Sequence, residues 1–83
     1  MNYYITKIEQ IISNGAYTEY ANTEKVATLS LTETKFFQAL ANVSADIGKN
    51  HTYMLIEIKD SLGNIIRKDV VGRYVVDETD ATE

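Results

Sequence analysis

The feature that most constrains this chain is the stretch HTYMLIEIKDSLGNIIRKDVVGRYVV, residues 51 to 76. Two alternating runs of apolar and polar residues flank a short segment containing glycine, which is the pattern of a β-hairpin. With Ser61-Leu62-Gly63 as a three-residue loop and Gly63 in the left-handed bulge position, Asp60 closes against Asn64. The register that follows puts Ile58 opposite Ile66, Glu57 opposite Arg67 and Met54 opposite Val70, so apolar meets apolar and acid meets base. One face then carries Met54, Ile56, Ile58, Ile66, Val70 and Tyr74. The other carries Tyr53, Leu55, Ile65, Val71 and Val75, interleaved with Glu57, Lys59, Arg67, Asp69 and Arg73. Gly72 marks a bulge or bend near the end of the second strand.

An earlier hairpin is announced by Asn14-Gly15, since both central residues of a type I′ turn need positive φ. Residues 3–12 read as a strand, although Ile5, Ile8, Ile11 and Ile12 also fit helical spacing. The polar stretch AYTEYANTE is ambiguous, and KVATLSL, residues 25 to 31, has the β-branched content of a second strand.

Between the hairpins, SLTETKFFQALANVSADIGKN reads as a helix. Ser30 and Glu33 have the spacing of a capping box, with Thr32 as a competing cap. Phe36, Leu40, Val43 and Ile47 form one apolar stripe. Gly48 fits a left-handed position just past the helix end, and Lys49 suits the negative end of its dipole.

The order β-β-α-β-β predicts a two-layer α+β fold, an antiparallel sheet of about four strands with one helix packed on one face. A chain of 83 residues has room for one core, assigned to residues 1–76. Four strands make a layer roughly 15–20 Å wide, and one helix with its side chains is about 10 Å across. The helix therefore closes part of one face and none of the other. The uncovered face, with Tyr53, Leu55, Ile65, Val71 and Val75, is the expected interface. The competing reading is that its interleaved charges break up the patch, leaving it facing water as one side of an antiparallel sheet often does.

Charge decides little about the fold but something about partners. Residues 1–76 carry all eight Lys and Arg and eight of the twelve Asp and Glu, so the body is formally neutral. The segment 77–83, DETDATE, holds Asp77, Glu78, Asp80 and Glu83 and reads as an acidic, disordered tail. With no cysteine, disulfides and thiolate metal sites are excluded, and oligomerisation is one of the few remaining supports for so small a core. No apolar run approaches the roughly 20 residues of a membrane span, and no signal peptide is read, so a cytoplasmic setting is expected.

Catalytic and metal-binding patterns do not emerge. His51 is the one histidine, with no cysteine or carboxylate at a recognised ligand spacing, and reads as a loop residue. DSLGNIIRKD lacks the alternating carboxylates of a calcium loop. No phosphate cradle, cofactor motif or nucleophile elbow occurs. Lys59, Arg67 and Arg73 on the second hairpin, near Tyr53 and Tyr74, give an alternative surface for single-stranded nucleic acid. Glu57, Asp60 and Asp69 are interleaved with them, and Lys68 is expected to point the opposite way.

The run KFFQALANVSADIGKNHTYMLIEIKDSLGNIIRKDVVGRYV, about half the chain, resembles the C-terminal half of small uncharacterised proteins of gut bacteria and their phages. That resemblance implies a phage or mobile-element setting, in the host cytoplasm or a virion, and a structural or host-interaction role. It includes no catalytic motif. The expectation is thus a non-enzymatic, self-associating protein-interaction module, as a structural subunit or an inhibitor of a host protein.

Overall fold

A computed structural model describes residues 1–76. The expected acidic tail, residues 77–83, lies outside the described residues. The element order is β1 (Tyr3–Ser13), β2 (Ala16–Val26), α1 (Leu29–Asp46), β3 (His51–Asp60) and β4 (Ile65–Gly72). The strands form one antiparallel sheet in the order β2-β1-β3-β4, with α1 against one face. The fold is α+β with the β-β-α-β-β order expected.

The Asn14-Gly15 loop resolves the ambiguity of the leading segment. Both residues have positive φ, 52° and 79°, and Ser13 pairs with Ala16. Once the turn is set, strand pairing on both sides of β1 overrides the helical spacing of its isoleucines. The second strand occupies Ala16–Val26, not residues 25–31. The polar stretch pairs because the hairpin brings it beside β1, despite a composition that does not favour strands.

The residues beyond β2 enter the helix. Thr28 is the N-cap, extended at φ −127° and ψ 150°, and its Oγ1 accepts from the Leu31 N–H at 3.2 Å. Neither Ser30 nor Thr32 takes that role. Thr32 is fully buried, its hydroxyl donating to the Thr28 carbonyl, and Glu33 reaches Arg67 at 3.0 Å. The apolar stripe is as expected: Phe36 and Val43 are buried, and Ala39, Leu40 and Ile47 pack beside them. Gly48, at φ 86°, follows the C-cap Ile47.

The core comprises Ile5, Val26, Phe36, Val43, Met54, Ile56 and Ile58. Met54, Ile56 and Ile58 are wholly inaccessible, so alternate positions of β3 form the floor on which the helix lies. Cα extents of 44 × 30 × 16 Å describe a thin slab, with much surface for its volume.

The β3–β4 loop closes as expected. Asp60 N–H donates to the Asn64 carbonyl at 3.0 Å, and Gly63 has φ 88°. Asp60 Oδ1 also accepts from the N–H groups of Leu62 and Asn64, both at 2.9 Å, and these bonds hold its carboxyl below the usual carboxylate range. The register beyond the loop differs from expectation. Lys59 pairs with Ile65, but Ile58 pairs with Arg67, so Ile66 is an extra residue in β4. This one-residue bulge turns the rest of β4 over. Arg67, Asp69 and Val71 share the helix side with Ile58, Ile56 and Met54, while Lys68 and Val70 share the outer side with Glu57 and Leu55. Contacts on the helix side support this register: Val71 packs against the core, and Arg67 is held by Glu33 and lies 5.1 Å over the Phe37 ring.

Candidate interaction surface

The face opposite the helix can be read row by row from the pairing. Lys25, Tyr4, Lys59 and Ile65 form one row across the four strands. Thr23, Thr6, Glu57 and Lys68 form the next, followed by Ala21, Ile8, Leu55 and Val70, then Glu19, Gln10, Tyr53 and Gly72. The third row is apolar from edge to edge. Its β4 end is open, Val70 being 48% exposed, and Ile8 and Leu55 are half-buried.

Of the five residues expected to form the interface, Tyr53, Leu55 and Ile65 lie on this outer face. Val71 does not, because the Ile66 bulge turns it beneath the helix. Val70 takes its place outside, where the sequence reading had put it in the core. Val75 lies beyond β4, in a segment that folds back over one end of the outer face.

That segment, residues 73–76, acts as a strap. Gly72, at φ 75°, turns the chain across the sheet, and a Cβ there would sit 2.3 Å from the Thr52 carbonyl oxygen and 2.7 Å from Ile47 Cδ1. Arg73 N–H then donates to the Thr52 carbonyl at 2.8 Å. Tyr74 leaves the core face expected for it, stacks edge-to-face on Tyr53 at 5.4 Å, and donates its hydroxyl to Glu19 Oε1 at 2.7 Å. That bond to a carboxylate pushes the Tyr74 phenol above its usual range. Gln10, buried in mid-sheet, holds the strap by hydrogen bonds to both the N–H and the carbonyl of Val75, each 2.8 Å. The Thr52 hydroxyl donates to the same Gln10 Oε1 at 2.6 Å. Between the strap and β2 lies a shallow cleft of about 270 Å³ beside Tyr17, Glu19 and Tyr74. It falls below the roughly 300–1,000 Å³ of most ligand pockets.

The alternative nucleic-acid residues are separated. Lys59 is on the outer face, 3.4 Å from Glu57. Arg67 is on the helix side, and Arg73 follows Gly72 at the start of the strap. The bulge instead sets Lys68 on the outer face with Lys59 and Lys25.

His51 is not a loop residue. It is the first residue of β3, and the fold brings it two carboxylates, one five residues away at the end of the helix and one distant in sequence on β1. Its Nδ1 lies 2.7 Å from Asp46 Oδ2 at the end of α1, and its Nε2 lies 2.8 Å from Glu9 Oε1 on β1. Burial favours the neutral ring, but hydrogen bonds and charge from Asp46 and Glu9 outweigh it, and the His51 pKa is raised. The His51 hydrogen bond in turn lowers the Asp46 carboxyl. Sequence spacing could not reveal this clamp, because β1–β3 pairing is what joins Glu9 to it. With each ring nitrogen directed to a different carboxylate, the three do not converge on a common ligand position. Among the described residues no group of three or more His, Cys, Asp and Glu forms a metal-binding cluster, and no helix is long and apolar enough to cross a membrane.

No protein-family model, curated protein or solved structure matches this chain.

Proposed function

We propose that this chain is a non-enzymatic protein-interaction module that acts by self-association, joining through the sheet face that the helix leaves open or through an edge strand. The observation that carries this reading is the outer face itself. Ala21, Ile8, Leu55 and Val70 make a continuous apolar row with Tyr4 and Ile65 nearby, and among the described residues no helix lies on that side and the strap covers only the Gln10 end. Apolar surface grouped in this way fits a protein contact. The resemblance of residues 35–75 to small proteins of gut bacteria and their phages favours an accessory role in a phage or mobile element, as a structural subunit or an inhibitor of a host protein. Sedimentation over a wide concentration range tests self-association. A mass that rises with concentration supports it, and a monomer at every concentration rejects it.

A second reading, a binder of single-stranded nucleic acid, is favoured by one observation: Lys25 and Lys59 flank Tyr4 on the outer face, and Lys68 shares that face in the next row. It is weakened by Glu57, which contacts Lys59 and lies directly opposite Lys68. Oligonucleotide titrations at two salt concentrations separate the readings, since phosphate contacts weaken steeply as salt rises. Absence of binding at low salt rejects this one.

A further inference from the structure

The two edges of the sheet differ in how they are protected. The β4 edge is eight residues long, is bulged at Ile66 and ends at Gly72, where the chain turns across the sheet. The bond from Arg73 N–H to the Thr52 carbonyl fixes the phase of the β3–β4 ladder, so that Asp69 and Val71 bond β3 while Lys68 and Val70 turn their backbone outward. The outward Val70 N–H is already taken by Asp69 Oδ1 at 2.8 Å. Short length, a bulge and a side-chain cap all blunt a sheet edge.

Among the described residues the β2 edge has none of these. It runs for eleven residues in unbroken register with β1 and is exposed on both faces from Ala16 to Lys25. The two-residue loop makes Ser13 and Ala16 a hydrogen-bonded pair, so even-numbered β2 residues bond β1. Tyr17, Glu19, Ala21, Thr23 and Lys25 therefore turn N–H and C=O groups to the free edge.

We infer that this edge pairs antiparallel with β2 of a second copy, centred on Asn22, joining two four-stranded sheets into one continuous sheet. The inference rests on the self-association proposed above and specifies its geometry. A two-fold axis normal to the sheet keeps each face on its own side, so the numbers of paired residues must sum to an even value. Among such registers, only the one centred on Asn22 sets an acid opposite a base. Glu19 then faces Lys25 of the second copy, and Lys25 faces its Glu19, both on the outer side. On the helix side Tyr20 meets Glu24, whose carboxylate is steadied by Lys35 at 3.0 Å. Registers centred on Glu19, Glu24 or Lys25 would oppose like charges. The hydrogen-bond phase is met by this register, as by every register with an even sum. Glu19 with Lys25 and Ala21 with Thr23 are outward-turned pairs able to exchange backbone bonds, while Asn22 meets Asn22 as a non-hydrogen-bonded pair, with Cα atoms about 4.5 Å apart.

That spacing lies within the disulfide range of about 4.4–6.8 Å, and the chain has no native cysteine to interfere. Under mild oxidation Asn22→Cys is expected to form a covalent dimer at least about tenfold faster than Ala21→Cys, whose partner in this register is Thr23. Lys25→Glu sets two like-charged pairs across the axis and is expected to raise the dimer dissociation constant about tenfold, with Glu19→Lys in the same chain restoring it. Leu62→Ala, in the exposed β3–β4 loop remote from the β2 edge, serves as the control and is expected to leave association unchanged. Circular dichroism establishes that each variant is folded. Equal cross-linking at positions 21 and 22, or no rescue by the double reversal, overturns the register. If the unmodified chain still dimerises, self-association stands and only this edge is rejected. A chain monomeric at every concentration rejects both.

Discussion

Gln10 and Val75 pair as though both were backbone. The Gln10 side-chain amide donates to the Val75 carbonyl and accepts from its N–H, each at 2.8 Å, across a sequence separation of 65 residues. A buried polar side chain in mid-sheet thus ends with its polar atoms satisfied and fastens residues 73–76 over one end of the outer face. Truncation to Gln10→Ala removes these bonds and leaves the Thr52 hydroxyl only the residue-10 carbonyl, at 3.2 Å. The expected cost is about 1–3 kcal/mol, read from urea unfolding. Amide exchange at Val75 should accelerate more than exchange at Ile56, because the strap loosens before the core opens.

Gly72 makes the strap possible. Its φ of 75° and the approach of the Thr52 carbonyl leave no room for a side chain, and carbonyl backbone cannot step aside as a flexible side chain can. Gly72→Ala is expected to destabilise the fold by about 2 kcal/mol or more. Loss of the edge-to-face contact between Tyr53 and Tyr74 would show in the near-ultraviolet dichroism of these tyrosines.

The His51 clamp predicts a pH dependence of defined sign. An imidazolium donates from both nitrogens, whereas the neutral ring carries one N–H, so one of Glu9 and Asp46 loses its donor on deprotonation. Because the folded pKa is raised, the stabilisation is complete below the unfolded value of about 6.5 and is lost as pH rises through the folded value. The lowered Asp46 carboxyl acts at the other limit: its contribution is present above its ordinary value of about 3.9 and is lost as pH falls through the folded value. Unfolding midpoints measured from pH 5.5 to 9 should decline for the native chain and flatten for His51→Gln. Equal slopes for the two would remove the clamp from the account.

The Ile66 bulge can be checked without coordinates. Val71 packs against the core and Val70 is 48% exposed, the reverse of an unbulged hairpin. Val71→Ala should therefore cost about 1 kcal/mol or more and Val70→Ala less than about 0.5 kcal/mol. Ile56→Ala, at a position with no exposure, should cost about 2–5 kcal/mol and calibrates the scale. If Val70 proved the costlier of the valines, the register would be wrong.

Arg67 supplies a test of the nucleic-acid reading. Its guanidinium is engaged by Glu33 and Phe37 on the helix side, away from Lys59. Arg67→Ala is expected to lower stability by about 0.5–1 kcal/mol, while leaving any oligonucleotide affinity unchanged. Lys59→Ala and Lys68→Ala would weaken such binding if it exists.

The local chemistry of the chain determined its turns and its layer architecture. Asn14-Gly15 and Gly63 accept positive φ at little steric cost, and the Phe36–Ile47 stripe permits one buried helical face; each of these is a property of neighbouring residues and could be read in order. What depended on residues meeting from afar could not be. AYTEYANTE became a strand only because β1 offered it a partner, and Ile66 bulged in the register that buries Val71 and brings Arg67 to Glu33 and Phe37. His51 acquired Glu9 and Asp46 through strand pairing and the return from the helix, and Gln10 found Val75 only after Gly72 turned the chain across the sheet. A single extra residue in a strand exchanges inside for outside along everything that follows. The identity of the open face was therefore settled by three-dimensional packing, even though the existence of an open face was written in the ratio of one helix to four strands.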